Sequence, residues 1–487
     1  MTVDPLRRLK IMVARSKLSS TKLDWEEEHP LERLIEMKVR RELKDDREFR
    51  RSLGRSRIAD MTRADLVEYQ LHKFRKQMRY VQENSIFYRK RFQELNLSPN
   101  DIREFEDLRK VPITEPNELA EEPFHFLCVS QSKVMRAFST SGTSGQRKRL
   151  FYTQEDVLNI VDSIAAALRN TQMNREDLLH IMFPAVTAWD PSLMLDGACK
   201  VAGLRSQVCS EADVERQVKV MTEGKVKVII GLTSFIYRIT VLARQRHDLK
   251  ALGMKAIICS SEPLSEAMRR EIEASWGCKA LSQYGMTEMG LATAIECMAQ
   301  DGLHIDEGNY LLECVDPKEG GHRGDREQGE LIWTSLNMRG TPLLRYRSYD
   351  LSCYIHPPCG CGFSIIGKMG KPLGRNIVET KIGYGERIYP LLFDEAVLAV
   401  PGVLGYQMVI DRVGFRDKLS FTVEYLGDPG EGRRQVGESL QKLDEVRSSL
   451  DNDLLEPLVI EMVPAKEGFV PKQKSFIDNR KLFDRMK

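Results

Sequence analysis

Helical stretches alternate with short apolar runs between Leu150 and Glu288, and this alternation constrains the fold more than any other feature of the chain. The apolar runs are "LLHIMF", "KVKVIIG" and "MKAIICSSEP". Strands separated by helical stretches are typical of a largely parallel sheet with crossover helices. The pattern therefore predicts an α/β fold in which ligands bind at loops beyond the carboxyl ends of the strands.

The chain has 487 residues, which predicts a multi-domain protein because a single hydrophobic core rarely grows so large. Residues 1–60 are dense in Arg, Lys and Glu, and we expect a charged helical extension that is solvated or mobile. A capping box of Thr62 and Asp65 predicts that a large domain, residues 61–366, begins near this point. Residues 367–487, with strand-like runs "GVLGYQMVI" and "KLSFTVEYL", are predicted to form a small, mobile α+β domain.

Composition excludes several classes of partner. The net charge is only +2, with 42% hydrophobic and 30% charged residues, so we expect no nucleic-acid partner and no membrane surface. The N-terminal apolar run "IMVA" is too short for a signal peptide, and we expect a cytoplasmic protein. Ten cysteines in a reducing compartment favour free thiols or metal ligands over disulfides. The sequence leaves open whether the chain forms a homodimer.

A hydroxyl-rich and glycine-rich run, "STSGTSGQRKRLFYT", spans residues 139–153. Glycines allow the backbone to approach a ligand closely, hydroxyl and N–H groups donate to anionic oxygens, and Lys148 adds positive charge. This composition predicts a phosphate-binding loop. Its spacing does not match a Walker loop, and a flexible surface loop is the alternative.

Two further runs place polar side chains after predicted strands. The first run, "LSQYGMTEMG" at residues 281–290, carries an aromatic ring, a hydroxyl and a carboxylate. The second run, "PLLRYRSYDLS" at residues 342–352, carries Asp350 after two arginines. Asp350 could hold ribose hydroxyls or pair with Arg345 or Arg347. The runs "GELIWTSL" and "YRSYDLSCYI" are predicted to form short β-hairpin elements.

The ordered motifs "STSGTSGQRK", "SSEP", "QYGMTE" and "LLRYRSYDLS" together resemble the adenylate-forming acid–thiol ligase superfamily. The runs "ENSIFYRKRFQEL", "DGLHIDEGNYLLECVDP" and "CGCG" are most similar to phenylacetate–coenzyme A ligases and coenzyme F390 synthetases. The resemblance implies that a carboxylate attacks the α-phosphate of Mg-ATP to give an acyl-adenylate and pyrophosphate. A thiol, usually that of coenzyme A, then displaces AMP.

The resemblance also implies roles for individual residues. Thr287 would contact the α-phosphate, Glu288 would ligate Mg²⁺, Asp350 would bind the ribose, and Tyr284 beside Gly285 would stack on the base. The remaining implied contacts are with the β- and γ-phosphates (Ser139, Thr140, Ser141, Gly142, Thr143, Ser144, Gly145 and Lys148), the adenine (Ser260, Ser261, Glu262 and Pro263) and the acid (Trp189, Thr233 and Phe235). For the acid-binding group, plain core packing is the alternative.

The motifs depart from the family pattern near the C-terminus. At the hinge, relatives have GRxDDM where this chain has "GKMGKPLGR". Lys368 would replace the arginine as a cofactor-binding residue, and Gly370 occupies the position of the hinge carboxylate, which is missing. The resemblance implies a late lysine that contacts the carboxylate and α-phosphate, and Lys472 or Lys474 would supply it. A solvated basic tail is the alternative.

Cysteines and histidines recur in two separate segments. Cys359 and Cys361 form a CxC, and Cys297 and His304 bracket a short loop. Three thiolates and one imidazole are the composition of a closed structural Zn²⁺ site, and some phenylacetate–coenzyme A ligases resemble this chain here. The alternative is four buried side chains without a metal, and Cys353 or His356 could replace one member.

The leading hypothesis is an AMP-forming ligase that joins a carboxylic acid, aromatic and phenylacetate-like, to coenzyme A, using ATP and Mg²⁺. A second hypothesis keeps adenylation but transfers the acyl group to a carrier protein, a protein side chain or an amine. A third is a nucleotide-binding relative that has lost catalysis, because its hinge is altered.

Overall fold

The computed structural model describes residues 13–24, 27–139, 148–183, 191–375, 380–465 and 476–480. The chain divides into two compact units that are not continuous in sequence. Unit 1 contains residues 1–177, 193–206 and 281–372, and unit 2 contains residues 178–192, 207–280 and 373–487. Within the described ranges, no helix combines the length and the apolar character that crossing a membrane requires.

The α-helices are numbered in chain order, and 3₁₀ turns are named by their residues. Helices α1 to α13 are Pro30–Asp45, Arg47–Leu53, Arg63–Asn84, Ile86–Glu94, Pro116–Glu121, Gln154–Arg169, Pro191–Ala202, Val214–Gly224, Thr233–Ala243, Glu266–Trp276, Pro390–Val397, Pro429–Leu440 and Asp444–Asp451.

The strands are numbered in the same way. Strands β1 to β20 are Val134–Ser139, Arg149–Thr153, Leu178–Met182, Arg205–Val208, Val228–Leu232, Ala256–Ser260, Lys279–Tyr284, Ala294–Glu296, Leu303–Ile305, Tyr310–Val315, Gln328–Ser335, Tyr346–Ile355, Lys368–Met369, Gly374–Arg375, Thr380–Ile382, Glu386–Ile388, Val403–Val413, Arg416–Tyr425, Val459–Pro464 and Phe476–Asp478.

Unit 1 contains a mainly antiparallel sheet with the strand order β10-β11-β12-β13-β9-β8-β7. Strands β11 and β12 pair antiparallel, with Trp333 opposite Tyr346, which confirms the predicted hairpin elements. Strand β7 pairs with β8 through Gln283 and Tyr284. The sheet therefore brings the end of β7 and the beginning of β12, both rich in polar side chains, into one unit.

The N-terminal segment packs into the core of unit 1, so the expectation of a solvated or mobile arm is wrong for its described part. Helix α1 begins with Pro30 in its first turn, a position where a missing N–H costs nothing. Its buried side chains Leu31, Leu34, Ile35 and Val39 recur at helical spacing and share a core cluster with Phe363. The many charges lie on the other faces of the helix, and they concealed this apolar stripe.

Unit 2 contains the parallel strands predicted from the sequence. Strands β3 and β5 pair in parallel, as do β5 and β6. All five residues of β5 and of β6 are buried, as expected for parallel strands covered on both faces. Helix α9 follows β5 and α10 follows β6, so the predicted alternation of helix and strand is confirmed for this part of the chain.

The C-terminal part of unit 2 has a four-stranded sheet in the order β19-β18-β17-β20. Strands β17 and β18 form a long antiparallel hairpin, and β19 and β20 add to it in parallel. This confirms the predicted strands around "GVLGYQMVI" and "KLSFTVEYL". The predicted domain limits at residues 60 and 366 stay a prediction, because the units are discontinuous.

Candidate active site

Tyr284 and Asp350 meet in unit 1, although they are far apart in sequence. The Tyr284 hydroxyl donates a hydrogen bond to Asp350 Oδ2 at 2.7 Å. The Tyr284 ring lies nearly parallel to the ring of Trp333, with centroids 5.8 Å apart and an interplanar angle of 19°. Arg345 pairs instead with Glu313 at 2.9 Å, and Arg347 pairs with Glu115 at 2.8 Å.

Glu288 lies in a short 3₁₀ helix, Thr287–Met289, that ends at Gly290 with a positive φ of 72°. Its carboxylate is buried and lies 2.7 Å from Lys148 Nζ. The Tyr346 hydroxyl donates to the same Glu288 oxygen at 3.0 Å and accepts from Lys148 at 3.0 Å. Lysine, tyrosine and glutamate therefore form a closed triangle of charge-assisted contacts.

Thr287 is held by a tyrosine that the sequence analysis did not single out. The Tyr152 hydroxyl donates to the Thr287 carbonyl and accepts from the Gly290 N–H at 3.2 Å. Burial raises the pKa of Tyr152 far above its ordinary range, so the hydroxyl stays protonated and remains a donor. Tyr152 and Tyr346 both lie inside runs already quoted for their charged neighbours, and their positions there were the available signal.

Gly285 follows Tyr284 at a place where no side chain fits. A Cβ at this position would lie 1.8 Å from the carbonyl oxygen of Leu291, so the tight approach of these two backbone segments requires glycine. This accounts for the Tyr-Gly pair in "QYGMTE". It also fixes the direction in which Thr287 and Glu288 leave the strand.

The structure thus brings together, within unit 1, several of the residues that the sequence singled out. These are Lys148, Tyr284, Gly285, Thr287, Glu288 and Asp350. Ser139 ends β1. Thr140, Ser141, Gly142, Thr143, Ser144 and Gly145 lie outside the described residues.

The candidate adenine-binding turn, Ser260 to Pro263, lies in unit 2 and is organised by Thr233. The Thr233 hydroxyl donates to the carbonyls of Ser260 and Glu262 at 3.2 and 3.0 Å. The N–H of Ser234 donates to Glu262 Oε2 at 2.9 Å. Ser261 has a φ of +68°, a conformation that non-glycine residues adopt mainly where the surroundings impose it.

Phe235 and Trp189 are the other two residues implied to contact the acid, and the structure describes only Phe235. Phe235 is fully buried in α9, the position expected from the core-packing alternative. Trp189 lies outside the described residues. A direct role for Thr233 or Phe235 in binding the acid stays a prediction.

Lys368 lies in β13 and is fully buried. Its ammonium lies 2.7 Å from Asp301 Oδ2, which Arg326 also contacts at 2.9 Å. Hydrogen bonds from Arg326 and Lys368 lower the pKa of Asp301 to about 2. Lys368 is therefore committed to an ion pair in this structure, and its nucleotide-binding role stays a prediction. Lys472 and Lys474 lie outside the described residues.

Cys297, His304, Cys359 and Cys361 converge in unit 1, with their donor atoms all within 4.8 Å of one another. The two sulfurs of Cys297 and Cys359 are 3.8 Å apart, and Cys361 Sγ lies 3.4 Å from His304 Nε2. His304 lies in β9, and Cys297 directly follows β8. The pairing of β8 with β9 therefore sets the distance between one pair of donors.

The protonation of this cluster is unusual. A hydrogen bond from Cys361, together with the nearby His304, holds the pKa of Cys297 well below its ordinary value. Burial opposes the charged form of His304, but hydrogen bonds to Cys297 and Cys359 raise its pKa overall. The cluster thus favours thiolate at Cys297, and thiolate is the form of cysteine that binds metals.

Cys353 and His356 do not join this cluster in the part of the chain that the structure describes. Cys353 lies opposite Gln328 in the β11–β12 ladder, and its carbonyl accepts from the Gly370 N–H at 2.9 Å. Of the sets left open by the sequence, the structure therefore favours the four residues named first.

A second group of ligand-type side chains, Glu42, Asp46 and His72, also converges in unit 1. Lys76 Nζ lies 2.6 Å from Glu42 and 2.9 Å from Asp46, and Lys73 lies 3.3 Å from Glu42. Two ammonium groups thus already neutralise the two carboxylates. We interpret this group as an ion-pair network.

The chain is similar to known enzymes. The model of the AMP-binding enzyme family matches residues 99–340. A phenylacetate–coenzyme A ligase of Thermus thermophilus is 29% identical over 372 residues, which cover 75% of this chain and 83% of that protein. One of Aromatoleum evansii is 28% identical over 442 residues, covering 87% and 96% respectively.

The fold is similar to that of a solved ligase. The crystal structure of 2-hydroxyisobutyryl-CoA ligase in the postadenylation state matches with a TM-score of 0.75 and 20% identity, covering 88% of this chain and 92% of that one. The motifs and these matches agree with one another: residues 99–340 match the AMP-binding enzyme family, and the chain is similar in sequence to phenylacetate–coenzyme A ligases.

Proposed function

We propose that this protein is an AMP-forming ligase that activates a carboxylic acid with ATP and transfers the acyl group to coenzyme A. The contact between Lys148 and Glu288, 2.7 Å apart in a buried setting, is the observation that carries the proposal. An ammonium group and a candidate Mg²⁺ ligand are in contact there, and Tyr284 and Asp350 are paired in the same unit. Adenylation requires this kind of charge neutralisation around phosphates.

Each residue of the site has a task in this proposal. Glu288 offers the carboxylate oxygen that Mg²⁺ prefers, and Lys148 moves from Glu288 to a phosphate oxygen when ATP binds. Asp350 accepts from ribose hydroxyls, and Tyr284 presents its ring to the base. Bound Mg²⁺ would neutralise charge on the phosphates, and the protein residues would orient the α-phosphate for attack by the carboxylate.

The acid is proposed to be aromatic and phenylacetate-like, and the acceptor to be coenzyme A. Support comes from the names of the relatives, four of which are phenylacetate–coenzyme A ligases with 28–29% identity. Transfer to a carrier protein, a protein side chain or an amine is the second candidate. The altered hinge, in which Gly370 stands where relatives have a carboxylate, favours instead the third hypothesis, a nucleotide-binding relative that has lost catalysis.

We also propose that Cys297, His304, Cys359 and Cys361 hold a structural Zn²⁺ ion. Three sulfurs and one imidazole nitrogen fit the ligand preference of zinc. The 3.8 Å between the sulfurs of Cys297 and Cys359 equals the edge of a tetrahedron with Zn–S bonds of about 2.3 Å. The ion would close the site with four protein ligands and would not touch substrate.

ATP–pyrophosphate exchange over a panel of carboxylic acids tests the proposed reaction. We expect exchange with phenylacetate or another aromatic acid, AMP as the nucleotide product, and an acyl-coenzyme A thioester when coenzyme A is added. ADP as the product would contradict adenylation. Exchange without thioester formation would favour the second acceptor class, and absence of exchange with every acid would favour a relative that has lost catalysis.

A further inference from the structure

The loop that carries two of the proposed zinc ligands donates hydrogen bonds to a carboxylate on α1. We define the cysteine loop as residues 359–366. Glu32 Oε2 accepts from the N–H groups of Ser364 and Ile365 at 2.9 and 3.1 Å, and Oε1 accepts from the Ser364 hydroxyl at 2.9 Å. Glu32 is only 8% exposed, so these bonds form in a setting that strengthens them.

An aromatic contact continues the same link to a ligand side chain. The ring of Phe363 packs edge-on against His29, with centroids 5.0 Å apart, and against the proposed ligand His304 at 4.2 Å. Cys297 and Cys359 belong to the same buried cluster as Leu31 and Ile35. The segment around α1 therefore forms one wall of the site.

The C-terminal end of the cysteine loop is held by the start of α3. Arg63 donates to the carbonyl of Ile365 at 3.0 Å and pairs with Glu307. Glu307 in turn accepts from the N–H of Gly367 at 2.6 Å. Helices α1 and α3 therefore both contact the loop just after its second cysteine.

The backbone hydrogen bonds inside the cysteine loop, from Cys359 to Phe363 and from Gly362 to Cys359, do not reach Ser364 or Ile365. Gly360 and Gly362 flank Cys361, and Gly362 has a φ of +102°, a region that favours glycine. Glycines add backbone freedom that must be lost when the two thiols are placed at a metal. Hydrogen bonds to residues outside the loop would restrict its backbone before the metal binds.

We propose that Glu32 is a positioning residue for the metal site: it holds the cysteine loop in the shape in which Cys359 and Cys361 meet Cys297 and His304. The N-terminal segment is then part of the zinc site. This inference rests on the proposed structural zinc. Residues that orient ligands without touching the metal change metal affinity by about 10- to 100-fold when removed.

Competition with a chromogenic chelator on the zinc-loaded, full-length protein tests the role of Glu32. We expect Glu32→Ala to release zinc at about 10- to 100-fold lower chelator concentration than the unmodified protein. Glu32→Gln should fall between them, because its amide oxygen can still accept from the two N–H groups. Glu36→Ala is the matched control, since Glu36 lies one turn later on the same helix and pairs with Arg33 and Arg40; its zinc release should not change.

Ser364→Ala probes the same link from the loop side and leaves α1 intact, so it remains informative if Glu32→Ala fails to fold. It removes one of the three hydrogen bonds, and we expect a smaller loss of zinc affinity that is not additive with Glu32→Gln. Hydrogen exchange of residues 359–366 should rise in these variants and not in Glu36→Ala.

The outcomes separate the two proposals. If the unmodified protein holds zinc, and folded Glu32→Gln and Ser364→Ala both release it as the unmodified protein does, the positioning role of Glu32 is overturned while the metal site stands. If the unmodified protein binds no zinc, the metal site itself fails. Neither result bears on ATP–pyrophosphate exchange, which tests the ligase proposal separately.

Discussion

The Lys148 ammonium lies 2.7 Å from the Glu288 carboxylate, and the two side chains are 13% and 8% exposed. A lysine thus fills the position next to the carboxylate proposed to bind Mg²⁺. When Mg-ATP binds, Mg²⁺ would replace the Lys148 ammonium beside Glu288, and Lys148 would contact a phosphate instead. The site keeps its charge balance before and after the exchange, which limits the cost of burying Glu288.

Glu288→Gln should reduce ATP–pyrophosphate exchange by about 100-fold or more, because a neutral amide is a poor Mg²⁺ ligand and stabilises less charge in the transition state. Exchange rates measured across a Mg²⁺ titration check this. Glu313→Gln is the matched control, because Glu313, like Glu288, is buried and paired with a cation, in this case Arg345. It should lower the melting temperature and leave the Mg²⁺ dependence unchanged, and equal Mg²⁺ curves for both variants would contradict the metal role.

Lys148→Met should raise the KM for ATP and also destabilise the protein without nucleotide. Glu288 would keep its hydrogen bond from Tyr346 but lose its countercharge, which we expect to cost about 1–3 kcal/mol. Thermal melts with and without Mg²⁺ check this, since the free cation should stabilise Lys148→Met more than the unmodified protein. A variant that melts identically under both conditions would show that the pair has no electrostatic role.

Asp350→Asn should raise the KM for ATP by about 10- to 100-fold, the loss expected when a hydrogen bond to a charged acceptor is weakened. Tyr284→Phe removes the 2.7 Å hydrogen bond to Asp350 but keeps the aromatic ring, so we expect a smaller rise. Saturation kinetics in ATP compare the two. If Tyr284→Phe were the more damaging change, the hydroxyl and not the ring would be the important feature of Tyr284.

We expect Asp394, in unit 2, to make the free energy of unfolding depend on pH. Burial raises the pKa of Asp394 to about 7, even though the Tyr406 hydroxyl donates to it at 2.8 Å. The folded state then binds a proton that the unfolded state releases near pH 4. Stability should therefore fall as pH rises from about 4 to about 7, by up to about 1.4 kcal/mol per pH unit. Asp394→Asn should flatten this part of the curve in urea titrations at pH 5 and pH 8, and an unchanged slope would exclude Asp394 as its source.

Cys359→Ser should lose bound zinc and lower the melting temperature before it weakens ATP binding, because the four ligands do not include a nucleotide-site residue. Elemental analysis, thermal melts and ATP titrations of one preparation check the order of these losses. Zinc should also dissociate as pH falls, since protons compete for thiolate and imidazole ligands. Fully folded, fully active protein without metal would contradict the structural role.

Sequence alone predicted the residues whose chemistry is strong and local. The CxC and the Cys-His pair pointed to one cluster, and the structure brings the four together. The turns around Glu288 and Asp350 were found from their polar side chains after strands. The pairing of Lys148 with Glu288 could not be predicted, because it depends on how β2 and the turn after β7 approach each other in space.

Glu32 was missed for a different physical reason. Its neighbours Arg33 and Glu36 made α1 look like a solvated helix, and total charge outweighed the spacing of Leu31, Leu34 and Ile35. Spacing was the better signal, since burial follows one face of a helix while charge can occupy the others. Tyr152 and Tyr346 were missed because a hydroxyl that holds a backbone carbonyl or a carboxylate leaves no distinctive sequence pattern.

The discontinuous units have a consequence for biosynthesis. Unit 1 contains residues 281–372 in addition to residues 1–177, so the core cluster around α1 lacks Cys297, Cys359 and Phe363 until some 300 further residues have left the ribosome. At elongation rates of about 5–20 residues per second, that interval lasts on the order of tens of seconds. The cluster is incomplete during this interval, so we expect the nascent chain to depend most strongly on a ribosome-associated chaperone before Phe363 emerges.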